Sequence, residues 1–175
     1  MRQGQPGVSP GSLVIRFLPG PRVQRGKLRS GEGLGAEVHA GTFLRRREIV
    51  LDAALLSQPA ELTRILTHEL YHFVWLRLGN RARRSYEDLV AAECRRRVRG
   101  ELGWSSEWRK GALAVRDRRE RTRRWREYVC ESFCDTAAWL FRVAGRHPEF
   151  TLGQDSRRQR RAWFLSREEL KRISV

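Results

Sequence analysis

His68-Glu69-Leu70-Tyr71-His72 constrains this chain more than any other stretch. It reads H-E-x-x-H inside an apolar run, with Ile65-Leu66-Thr67 before it and Phe73-Val74-Trp75 after it, so a helix here is buried along much of its length. Residues four apart share a helix face, so His68 and His72 can present imidazole nitrogens to one cation. Glu69, beside the first of them, then reaches a water activated by that cation. Unpartnered polar groups are costly in a core, and a metal is the simplest partner for a buried His-Glu-His face. Two histidines do not hold zinc alone, so a third protein ligand must come from elsewhere.

The best source is the run from Val129 to Phe141, in which Glu131 and Asp135 stand at i and i+4 among apolar residues. Acidic groups in such a run destabilise unless engaged. Glu131 can ligate, while Asp135 can accept the outward N–H of a ligand histidine and fix its tautomer. H-E-x-x-H followed by E-x-x-x-D resembles the gluzincin metallopeptidases, the thermolysin-like clan. The resemblance implies Zn2+ held by His68, His72 and Glu131, Glu69 as general base, and Asp135 as the residue that orients a ligand histidine. It further implies hydrolysis of peptide bonds in a peptide or protein substrate, and a zincin-like α+β fold. It covers these two helices only, and the segment between His72 and Glu131 is far longer than in thermolysin-like enzymes.

The chemistry also asks for a donor to the developing oxyanion. Tyr128, three residues before Glu131 and so on its helical face, and His147, which follows the same helix, are the two candidates. The active helix followed by Trp75, with the basic composition, is also similar to SprT-like proteases that act on DNA-bound protein. Their third ligand is a histidine, however, and the only downstream histidine here is His147, without their second motif. The gluzincin reading therefore has priority.

Charge supplies the competing class. The chain of 175 residues carries 36 Lys plus Arg and a formal net charge of +16, a field that attracts nucleic acid, anionic lipid or acidic polypeptide. Arg81-Ala82-Arg83-Arg84, Arg95-Arg96-Arg97, Arg121 to Arg126 and Arg157 to Arg161, with aromatic residues interspersed, can form a face for non-specific phosphate contacts. The alternative function is thus a non-catalytic or regulatory zinc-binding protein with a nucleic-acid-binding surface. A Gly-rich phosphate loop, a G-x-S-x-G elbow and paired C-x-x-C motifs are all missing, which disfavours nucleotide hydrolysis and serine catalysis.

Cys94, Cys130 and Cys134 make an odd number without a disulfide framework, which favours a reducing compartment and a cytoplasmic location. Cys130 and Cys134 bracket Glu131 at i, i+4 spacing and read as core packing rather than ligands. No stretch approaches the roughly twenty apolar residues of a membrane span.

The length fits one domain: residues 1–11 read as a disordered lead-in and 12–175 as a single metallopeptidase-like domain. Residues 12–18 read as a strand, 22–35 as a mobile loop, and 36–43 with 47–51 as an antiparallel pair. Such a sheet can align an extended substrate along its edge above the active helix, where His39 reads as an exposed strand residue without a special task. Ser57 is expected to cap the active helix, with Pro59 in its first turn and Gly79-Asn80 as its stop. A second helix is expected from Ser85, with Asp88 at capping-box spacing, to Gly100. Trp104 and Trp108 fall in the insert between the ligands. A further helix runs from Asp117 through Glu131 to Gly145, and one amphipathic helix spans 155–175.

Overall fold

Three strands use the apolar runs near the amino end. A computed structural model describes residues 12–24, 27–31, 34–141, 146–168 and 170. The lead-in of residues 1–11 and Gly145 lie outside them. The chain gathers into two compact units, residues 1–57 and 58–175.

In the first unit, β1 (Val14–Leu18) pairs in parallel with β6 (Glu48–Asp52), and β5 (Ala40–Phe43) pairs antiparallel with β6. The sheet order is β1-β6-β5, so β6 is central and its Ile49-Val50-Leu51 run is buried, as a strand covered on both faces requires. The expected antiparallel pair is therefore present, but the sheet is mixed rather than purely antiparallel. Its third strand arrives by a crossover that local pattern does not announce. The expected loop at 22–35 is also corrected. β2 (Arg22–Gln24), β3 (Lys27–Arg29) and β4 (Ala36–Glu37) form a second, antiparallel sheet ordered β3-β2-β4. Arg22 pairs with Glu37 across it, holding polar strands that carry little periodic signal.

The second unit is helical: α1 (Pro59–Arg77), α2 (Asn80–Arg95), α3 (Trp104–Gly111), α4 (Val115–Glu120), α5 (Arg123–Phe141) and α6 (Gln154–Leu165). With the two small sheets, the chain is α+β. α1 begins with Pro59 at its first position, where a missing N–H costs nothing. Ser57 does not cap it: Gln58 occupies the cap position, and Ser57 Oγ donates to Ala54 O at 2.8 Å within a 3-10 turn. Gly79 ends one helix and caps the next, so α2 starts five residues before Ser85 was expected to start it. Burial decides this, because Ala82, Tyr86 and Val90 form a continuous i, i+4 stripe into the core. Ser85 is left mid-helix, where its Oγ accepts Trp163 Nε1–H at 3.0 Å.

The helix expected from Asp117 is two helices. Arg121 adopts a left-handed conformation (φ 49°) that ends α4, and Asp117 ties the break by accepting from Thr122 Oγ1 and from Ala114 N–H. The closing helix stops at Leu165.

α1 lies against α5, and the main core gathers Val74, Tyr86, Trp125, Tyr128, Phe133 and Phe164 from four helices. A smaller cluster joins Leu102, Phe150 and Leu152. Between these layers sits a buried ionic cluster. Arg160, 0% exposed, donates from Nε and Nη2 to both carboxylate oxygens of Glu93 at 3.1 and 2.6 Å, and from Nη1 and Nη2 to those of Glu101 at 2.7 and 3.1 Å. Lys110 Nζ lies 2.9 Å from Glu101 Oε1. Arg160 thus leaves the surface run to which its sequence neighbours assigned it, because two buried carboxylates require a bidentate cation. Among the described residues no helix is long and apolar enough to cross a membrane.

Candidate metal centre

Two helices build this centre because each carries polar residues at i, i+4 on an apolar face, and α1 lying on α5 turns those faces toward each other. His68 Nδ1 and Asp135 Oδ1 are 2.7 Å apart. A carboxylate there holds a proton on Nδ1 and fixes the orientation of the ring. That Nε2 faces Glu131 Oε2 at 3.3 Å. Burial opposes a charge on His68, yet the Asp135 and Glu131 carboxylates raise its pKa well above the ordinary histidine value. Glu131 is the mirror image. Burial pushes its carboxyl up, but the hydrogen bond and charge of His68, with His72 and Arg109, outweigh this and bring it down to about 2.

Asp135 is gripped from its other side. The Ser106 N–H, in the first turn of α3, donates to Asp135 Oδ2 at 3.0 Å. Gly103 must be glycine at that helix start, since a Cβ there would stand 2.3 Å from the Asp135 carboxylate. Arg109, farther along α3, places Nη2 3.3 Å from Glu131 Oε1. The insert between the two motifs therefore supplies the second layer of the centre. Only Gly103, an isolated glycine before an N-terminal helix turn, carried any signal of it.

His72 has different company. Its Nδ1 lies 3.5 Å from Cys134 Sγ and 3.6 Å from Cys130 Sγ. The hydrogen bond from Cys134 brings the Cys130 thiol down to about 6, against burial and with help from His72. Burial and its Cys130 and acidic neighbours push the Cys134 thiol the other way. Both cysteines pack in the main core as expected, and both thiols also approach His72. Cys134 stands three residues after Glu131, on the same helical face, and that spacing was the missed signal.

Among the described residues, one donor from each of His68, His72 and Cys134 lies within 4.8 Å of the others. Imidazole, thiolate and carboxylate are the ligands zinc prefers, and zinc bonds of 2.0–2.3 Å at tetrahedral angles set ligand atoms about 3.3–3.8 Å apart. The His68–Glu131 and His72–Cys134 separations of 3.3 and 3.5 Å both match that spacing. His68, His72 and Cys134 could together hold a metal ion, and Glu131, 3.3 Å from His68, is not one of those three donors.

Glu69 is 8% exposed beside His68. Tyr128 is fully buried away from these donors, and its hydroxyl donates to Glu101 Oε1 at 2.7 Å. It belongs to the Arg160 cluster and is not available as an oxyanion donor. His147 is likewise engaged at both ring nitrogens: Nδ1 accepts the Glu149 N–H at 3.3 Å, and Nε2 lies 3.2 Å from Glu61 Oε2. Neither expected donor is brought to His68, because Tyr128 fills the acid-lined gap beneath α5 and His147 is tied to the first turn of α1. Comparison with protein-family models, with curated proteins and with solved structures returns no match to this chain.

Proposed function

We propose that this chain is a zinc-dependent peptide hydrolase of gluzincin-like, zincin-type design, with His68, His72 and Glu131 holding the ion. One observation carries the reading: His68 is clamped through Nδ1 by Asp135 at 2.7 Å while its Nε2 faces Glu131 at 3.3 Å. That is the ligand-plus-orienter pair expected of such a centre. When bound, the ion supplies Lewis acidity, polarising a carbonyl and bringing the pKa of water near 7. Glu69 takes a proton from the attacking water and returns it to the leaving amine. Asp135 keeps the His68 ring in one tautomer, and Ser106 N–H keeps Asp135 in place. Arg109 holds the second oxygen of Glu131, orienting the first toward His68. Three cysteines without disulfides fit a reducing, cytoplasmic setting for this enzyme.

A second reading has its own observation. The thiols of Cys130 and Cys134 both approach His72, and a site completed by them would be closed, holding zinc for structure or sensing. Zinc counted in purified variants separates the two. Both readings expect His68→Ala and His72→Ala to lose the ion. The hydrolase reading expects Glu131→Ala to lose it and Cys134→Ala to keep it, and the reverse pattern would establish the closed site.

Asp135→Asn is expected to preserve the fold and weaken zinc affinity by roughly 10- to 100-fold, the usual effect of removing a carboxylate behind a ligand histidine. Competition with a chelator measures this. Unchanged affinity would mean that the Asp135 contact does not prepare His68 for a metal.

A further inference from the structure

Two of the arginine runs meet in one cavity. Arg83 and Arg84 of α2, Arg121 from the turn before α5 and Arg126 from the first turn of α5 line a recess of about 270 Å³ beside Trp75 of α1. Segments far apart in the chain thus bring guanidinium groups together, although like charges repel. Glu87 is the one carboxylate in the lining, and it is already engaged: Arg121 Nη2 donates to Oε2, and Trp125 Nε1–H donates to Oε1 at 2.7 Å. Arg83 Nη2 donates to Asn80 Oδ1 at 2.8 Å, and Arg126 Nη1 to the Arg121 carbonyl at 3.1 Å. Among the described residues, neither these two arginines nor Arg84 has a carboxylate partner.

The helix ends strengthen the field. Neither α2 nor α5 has an acidic residue in its first turn, so the positive end of each helix lies beside the arginines without a local counter-charge. Cations destabilise a helix N-terminus and anions stabilise it. Trp75 and Val129 give the same recess an apolar wall. The Trp75 ring is held in place by Phe133 and Tyr86, with centroids 5.0 and 6.4 Å away.

We propose that this cavity is a phosphate site for single-stranded nucleic acid. One nucleotide of a flexible strand turns its phosphate toward Arg83, Arg84 and Arg126, and its sugar or base lies against Trp75 and Val129. Guanidinium forks match pairs of phosphate oxygens, and strand binding without sequence preference combines a basic groove with an aromatic wall. Arg81 and Arg124, exposed in the same two segments, extend the positive field beyond the recess. Neighbouring phosphates of a strand reach that outer field, whereas a single phosphate ion does not. An Asp or Glu side chain brings charge but no sugar or ring for the apolar wall. None of the proposed metal donors lines the cavity, so the site is independent of the hydrolase reading.

The test uses the full chain, freed of bound nucleic acid, and a fluorescein-labelled oligothymidylate of about twelve nucleotides, titrated by anisotropy at several salt concentrations. The parent is expected to bind with an affinity that falls steeply with salt. Arg84→Gln with Arg126→Gln should weaken binding by about 10- to 100-fold, the scale of lost charged hydrogen bonds, and make the salt slope shallower by about 1 to 1.5. Both side chains are exposed, so the thermal midpoint and zinc content should remain parental. Arg158→Gln with Arg161→Gln makes the same charge change at exposed positions of α6 outside the cavity, and should weaken binding by less than about threefold. Equal losses in the two double variants would overturn the proposal, because binding would then be spread over the whole basic surface. Three other results would also overturn it: no binding by the parent at low salt, displacement of the strand by inorganic phosphate as readily as by unlabelled strand at equal phosphate concentration, or tighter binding of phosphatidylserine vesicles or polyglutamate than of the strand.

Discussion

Arg160→Met is expected to destabilise the protein by about 3–5 kcal/mol, the cost of leaving buried charges without their partner. Glu93, Glu101 and Arg160 are all fully buried, and the arginine grips both carboxylates through two hydrogen bonds each. Methionine fills similar volume but offers no donor, so the loss is electrostatic rather than a cavity. Urea denaturation at neutral pH measures it, and a loss below about 1 kcal/mol, the range of exposed ion pairs, would show that the cluster is not a core element.

The pH dependence has a definite sign. Burial raises the Glu101 carboxyl, but Arg160 first, then Lys110 and the Tyr128 hydroxyl, bring it below its ordinary value. A carboxyl depressed in the folded state contributes stability that is complete above its unfolded pKa of about 4.3. That contribution is lost as pH falls toward the lower folded value. The gap between the parent and Arg160→Met should therefore narrow below about pH 4, where the unfolded chain takes up the proton first.

Whether such features can be read in sequence depends on whether a residue's partner is local. His68, His72, Glu131 and Asp135 were legible because each pair repeats at i, i+4 within an apolar run, and because a buried acid or imidazole demands a partner. The His68–Asp135 contact joins two such demands. Cys134 was less legible, since a small buried thiol looks the same whether it packs or ligates, and its approach to His72 depends on how α1 meets α5. Arg160 was hidden among arginines, although Glu93 and Glu101, on either side of Gly100, left two acids to be neutralised. Tyr128 was placed by helical phase alone, which gives the side of α5 but not the Glu101 carboxylate waiting there. The start of α2 was misread because Ser85 and Asp88 make a plausible cap, while the Ala82-Tyr86-Val90 stripe runs straight through it. The parallel pairing of β1 with β6 joins strands far apart in the chain, and no local pattern encodes it.

Glu69→Gln, compared with the parent protein on a diverse peptide library, tests the central claim most directly. The substitution keeps the size of the side chain and its capacity for hydrogen bonding, but it removes the base. Glu69 is assigned to the water and not to the metal, so zinc content should equal that of the parent. Zinc-loaded parent should cleave the library and be inhibited by a hydroxamate. In Glu69→Gln, cleavage should fall by roughly 10²- to 10⁴-fold, the contribution of a well-placed general base. A diverse library is needed because one generic protein substrate samples too few sequences. Cleavage by Glu69→Gln at the parental rate, with zinc retained, would contradict the account, since the proton would then be taken by another group.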